Sequence, residues 1–146
     1  MKRPSRSRRT TRLLLIAVSP ARELLLRADP GLVKELVETH VSGKAIPGAL
    51  EVSEWTALER AFAERPDGEG PGAIDAIAPR LGLPLYEDRD VEASRYLRSA
   101  DVARVVDALR RLPPSAREGS AFDSVLGFYE GLRGAGNGAL VIRYKG

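Results

Sequence analysis

Six consecutive apolar residues, Leu13-Leu14-Leu15-Ile16-Ala17-Val18, leave no polar face for water. An extended segment alternates its side chains between two sides, so such a run suits a strand covered on both faces, although periodicity alone also fits a buried helix. A fold that accepts it must bring apolar elements to both sides. The rest of the chain supplies them mostly as amphipathic helices. Ser19-Pro20 is a helix start, the serine hydroxyl serving as N-cap and the proline occupying the first helical position, and this helix runs to about Arg27. Asp29-Pro30 repeats the signal for a second helix, striped by Leu32, Val33, Leu36 and Val37 and ending near His40. Ser53 caps a third, in which Trp55, Leu58 and Phe62 recur at helical spacing before Pro66. Ser99 caps the most regular one, with Val102, Val105, Val106, Leu109 and Leu112 on one face and Arg104, Asp107, Arg110 and Arg111 on the other. The last carries Phe122, Val125, Leu126, Tyr129 and Leu132.

Between these helices the chain is broken at Gly43, Pro47 and Gly48, in the loop from Pro66 to Gly72, and at Pro113-Pro114. Ala73 to Ala78 can form one or two helical turns, Leu81 to Tyr86 reads as irregular and partly buried, and Glu87-Asp88-Arg89-Asp90 is a charged turn. Ala93 to Leu97 can form a short strand, and Gly134 to Gly138 releases the last helix into a closing strand, Ala139 to Tyr144. About three short strands, far apart in sequence, thus lie among about five helices without strict βα alternation. The expectation is a single α+β domain, a small mixed sheet flanked by helices, and not a doubly wound nucleotide fold. A chain of 146 residues can bury such a core without covalent staples. It has no cysteine and one histidine, which excludes disulfides, thiolate catalysis, iron–sulfur clusters and any site built on two imidazoles.

Charge is segregated. The net charge is +3, but Lys2, Arg3, Arg6, Arg8, Arg9 and Arg12 are six of the 23 basic residues and no acidic residue accompanies them. From residue 13 onward, 17 basic residues face 20 acidic ones, a balance of −3. Residues 1–12 therefore read as a disordered basic arm on a mildly acidic domain spanning 13–146. The arm is either a simple leader or a nucleic-acid contact acting through counterion release, and it holds no aromatic residue to stack on bases. Ser7-Arg8-Arg9 ahead of the apolar run imitates a twin-arginine export signal. However, six apolar residues followed by Ser19-Pro20 and Arg22-Glu23 fall short of one, so a cytoplasmic protein is expected.

Several segments together resemble the YfbM-like family of small bacterial domains of unknown function. They are the strand and helix start at Leu15 to Pro20, the Asp29-Pro30 break, Trp55 with Leu58, Arg95-Tyr96-Leu97 running into the helix through Asp101-Val102 to Leu109, Phe128-Tyr129, and Gly138-Ala139-Leu140-Val141. The resemblance covers roughly residues 13 to 144 and rests on the order and spacing of these pieces. It implies an α+β fold and supplies no reaction. Where family members often place histidines around the tryptophan, this chain has Thr56 and Glu59, and its Pro113 to Ser120 connection is short and lacks the usual Tyr-Pro and Trp.

Chemistry-bearing residues are few. Arg95 and Tyr96, a guanidinium and a phenol at the end of a short strand, could grip a carboxylate or phosphate, although alternation puts them on opposite faces. Asp88 and Asp90, with Glu87, could ligate a divalent ion or act as an acid/base pair, but a solvated turn balanced by Arg89 accounts for them and the calcium-loop pattern is absent. Gly134 to Ala139 imitates a dinucleotide fingerprint in the wrong order, with the helix before and the strand after. His40 suits a helix C-terminus. No cofactor or metal is implied. The expected function is a non-enzymatic binding or protein-interaction domain with a protein or small-molecule partner. The alternatives are a weak nucleic-acid-associated protein and a small hydrolase or transferase with a carboxylate/Arg cleft.

Overall fold

The apolar run lies in a strand, β1 (Thr11–Val18), of the computed structural model of the chain, which describes residues 10–63, 72–78, 82–117 and 119–146. It pairs antiparallel along its whole length with β5 (Gly138–Lys145), Thr11 opposite Lys145 and Val18 opposite Gly138. On the other side of β1 lies β2 (Ala49–Val52); beyond β5 come β4 (Val91–Leu97) and the two-residue β3 (Leu83–Pro84). The order is β2-β1-β5-β4-β3, and every pairing is antiparallel. The expectation of three strands in a mixed sheet is therefore corrected to five in an antiparallel one. The two strands missing from the sequence pattern are the sheet edges. Ala-Leu-Glu-Val and Leu-Pro are too short, and too exposed on one side, to show an alternation.

Alternation along β1 divides the core in two. Leu13 and Leu15, with Ala139, Val141 and Leu97, face α3 (Trp55–Ala63), α4 (Ser99–Arg110) and α5 (Ser120–Ala135). Leu14, Ile16 and Val18, with Leu140, Ile142 and Tyr96, face α1 (Pro20–Ala28) and α2 (Leu32–Val41). The sheet is thus the middle of three layers, as a run apolar on both sides requires. A short 3₁₀ turn, Ala73–Ala76, joins the larger core. The fully buried Tyr129 of α5 donates its hydroxyl to the Ala76 carbonyl at 2.6 Å, giving a buried phenol and a buried carbonyl the partner each needs.

The helix starts differ in detail from their sequence signals. Ser19 Oγ accepts from the Arg22 amide at 3.3 Å, the expected N-cap. Asp29, by contrast, closes α1, and α2 begins only after Gly31 without a side-chain cap. Glu54, at φ 57°, stands between Ser53 and α3. Ser99 is the first residue of α4, and its cap is Arg98. Gly136, at φ 71°, ends α5 in the left-handed conformation that glycine adopts without a Cβ clash.

The basic arm is shorter at its C-terminal end than its charges suggested. Thr11 and Arg12 are strand residues, Arg12 lying opposite Tyr144, and the Thr10 carbonyl accepts from the Gly146 amide at 3.2 Å. Lys2, Arg3, Arg6, Arg8 and Arg9 lie outside the described residues, as does the loop expected from Pro66 as far as Pro71.

The β4–β5 pairing depends on one small residue. A Cβ on Gly138 would overlap both the Tyr96 hydroxyl and the Leu97 carbonyl, so β5 can start beside β4 only with glycine there. We expect Gly138→Ala to lower stability by about 1–3 kcal/mol through overpacking. Urea denaturation measures this, and an unchanged midpoint would contradict so close an approach.

Candidate functional site

The four residues nominated from sequence do not converge. Arg95 sits inside β4 opposite Val141 and Pro84, and its Nη1 donates to the Gly82 carbonyl at 2.8 Å, fastening the edge segment to the sheet. Tyr96 faces the other way and is 4% exposed, and its hydroxyl donates to Glu23 Oε1 of α1 at 3.0 Å. The Asp88 carboxylate is the organiser of its own turn. One oxygen accepts from the Asp90 and Val91 amides, each at 2.8 Å, and the other accepts from the Tyr86 hydroxyl at 2.8 Å and pairs with Lys34 of α2 at 3.3 Å. These bonds, the Val91 amide foremost, hold its carboxyl well below the usual carboxylate range. The Asp90 carbonyl accepts from the Lys145 amide at 2.8 Å and ties the turn to the end of β5. The turn stands at the start of β4, whereas Arg95 and Tyr96 stand near its end, so the nominated residues are spread along the strand.

The lone histidine has a role its helix position did not reveal. His40 Nε2 donates to Glu51 Oε1 of β2 at 2.6 Å, the Tyr144 hydroxyl donates to the same oxygen at 2.7 Å, and Arg12 pairs with Oε2 at 3.3 Å. Burial alone would raise the Glu51 carboxyl; hydrogen bonds from His40 and Tyr144 and the Arg12 charge outweigh it, and the net shift is downward. Burial, with Glu51 beside it, pushes the Tyr144 phenol up to about 12. The four residues come from β1, α2, β2 and β5, and without β2 the sequence offered no way to bring them together. Arg12 is thereby engaged by a carboxylate of the sheet.

Where the family resemblance places histidines, Glu59 pairs with Arg143, whose guanidinium lies 4.6 Å from the centre of the Trp55 ring. The tryptophan is covered by a cation instead of an imidazole.

The more open surface is on the two-helix face. Leu24, Leu25 and Leu26 follow one another in α1, and successive helical residues turn by about 100°, so one core cannot take all three. Leu26 is buried, whereas Leu24 is 69% and Leu25 61% exposed. Beside Leu25 a groove of about 420 Å³ opens between α1 and α2, with Ile16 and Val18 of β1 at its base, Leu36 in its wall, and Arg22 and Glu35 among its lining. A triple leucine in a helix that needs only one buried position was the sequence signal for this surface, and amphipathic periodicity passed over it.

No protein-family model matches the chain, and no curated protein matches it. Among solved structures it is similar to YfbM, a protein of unknown function from Escherichia coli, with a TM-score of 0.60 and 16% identity over 90% of this chain and 99% of that one. At that identity the likeness is one of fold. It agrees with the resemblance carried by Trp55, Arg95-Tyr96-Leu97 and Gly138-Ala139-Leu140 and adds no activity.

Both depressed carboxylates make the fold sensitive to acid. A carboxyl whose folded pKa lies below its unfolded value contributes stability that is complete above the unfolded value, 4.5 for Glu51 and 3.8 for Asp88, and is lost as pH falls through the folded one. Urea midpoints should therefore fall between about pH 5 and about pH 2, and Glu51→Gln should flatten that limb while lowering the midpoint at neutral pH. Parallel acid limbs for the variant and the parent would remove Glu51 from this role.

Proposed function

We propose that the chain is a binding domain without catalytic chemistry, and that the groove between α1 and α2 receives an apolar segment of a partner protein. The observation that carries this is Leu25, more than half exposed in the lining of a groove whose base is the sheet core, with Leu24 exposed beside it in α1. Apolar surface that extends beyond a cavity and is edged by charge suits a protein contact better than an enclosed small molecule. Arg22 and Glu35 supply charges of both signs that can fix the orientation of a bound segment. Nothing in the groove resembles a nucleophile with its base.

Because Leu25 is largely exposed, Leu25→Glu should leave unfolding within about 0.5 kcal/mol of the parent. The same change should weaken retention of a co-purified partner by about tenfold or more, as loss of a central anchor does. Affinity purification of tagged parent and variant, quantified by mass spectrometry, measures this. A partner held equally by both, or a parent that only self-associates in sedimentation velocity, would overturn the assignment.

A further inference from the structure

Glu23 and Arg27 of α1 line a second cavity, of about 300 Å³, shared with the end of β4, the start of α4 and the edge strand β3. Its character is opposite to that of the groove. Tyr96, Arg98 and Asp101 join Glu23 and Arg27 in its lining, with Leu83 and Pro84 as an apolar side. Three of these groups satisfy one another. Glu23 Oε1 accepts the Tyr96 phenol at 3.0 Å and Oε2 pairs with Arg27 at 3.3 Å, so this carboxylate is neutralised and the tyrosine is fixed as a wall.

Arg98 and Asp101 are placed differently. They lie three residues apart, a spacing at which opposite charges within a helix normally meet. Arg98, however, is the N-cap of α4, with φ −71° and ψ 159°, so its extended backbone takes it out of the helical arrangement. Among the described residues neither side chain has a hydrogen bond or ion pair. A guanidinium and a carboxylate thus border one small cavity with no bond to each other or to another of the described residues. A bare anion there would meet Asp101, and a bare cation would meet Arg98. A ligand that carries both charges, on groups bonded to one carbon, meets neither difficulty. Leu83, 40% exposed, and Pro84 offer apolar surface to the rest of such a molecule. The volume is at the small end of ligand cavities, which suits a molecule of amino-acid size.

We propose that this cleft binds a free α-amino acid with an apolar side chain, its carboxylate on Arg98, its ammonium on Asp101 and its side chain against Leu83 and Pro84. The site is independent of the groove on α1. Isothermal titration of the full chain with L-leucine, L-valine and L-phenylalanine tests it directly. At least one should bind, and its amide, lacking the carboxylate, and its N-acetyl derivative, lacking the ammonium, should each bind about tenfold more weakly or worse. Arg98→Ala and Asp101→Ala should each lose binding to the same degree, with unfolding temperatures close to the parent's, while Leu25→Glu should bind as the parent does. The analogue series on the parent chain gives its answer even where a variant fails to fold. Silence of all three amino acids, inorganic phosphate binding in their place, equal binding of the amide or the N-acetyl derivative, or retention of binding by Arg98→Ala would overturn the proposal.

Discussion

The pairing of β1 with β5 carries the rest of the molecule. Eight consecutive residue pairs join a strand from near the start of the described chain to one at its end, so the centre of the sheet is made from contacts more than a hundred residues apart in sequence. Closing a loop of that length is entropically costly, and the return comes from burying apolar residues on two faces at once. Leu13 and Leu15 enter one core, Leu14, Ile16 and Val18 the other, and β5 does the same with Val141 and with Leu140 and Ile142. Slipping this pair by one residue would exchange the two sets of side chains and mismatch both helix layers, which fixes the register strongly.

From that centre the remaining elements take their places by specific polar contacts. Asp88 fastens the turn before β4 to α2 through Lys34, Tyr96 fastens β4 to α1 through Glu23, and Glu51 draws α2, β1, β2 and β5 together through His40, Arg12 and Tyr144. Each of these joins the two-helix layer to the sheet. The three-helix layer relies more on volume: Phe62 and Phe122 meet edge to face and Tyr129 is wholly enclosed, with Glu59 and Arg143 as a polar tie to the sheet. The thinner layer is where both surfaces of functional interest lie, the apolar groove on one flank of α1 and the charged cleft on the other. A two-helix cover over a five-stranded sheet leaves margins, and those margins are where clefts form.

Much of the helix content was legible, because each helix buries a stripe whose period a sequence shows. The edge strands were not, because two or four residues held mainly by backbone pairing carry no period. The candidate sites were less legible still. Arg95-Tyr96 and the Asp88-Asp90 turn stood out as chemistry, whereas in the fold Arg95, Tyr96 and Asp88 are engaged by Gly82, Glu23, Val91 and Lys34. Arg98 was not singled out in the sequence and Asp101 only within the family resemblance, and only the fold sets them around a cavity with Tyr96 and Glu23.

The sequence by itself determined that a run apolar on both sides needs cover on both sides, that helices supply it, and that sulfur and paired-imidazole chemistry are absent. These are local or compositional properties, set by side-chain type and spacing along the chain. The tertiary structure decided which strand lies at the centre, which leucine of α1 is buried, and which charges meet. Those outcomes depend on burial and distance between residues far apart in sequence, and neither quantity exists until β1 and β5 have closed the sheet.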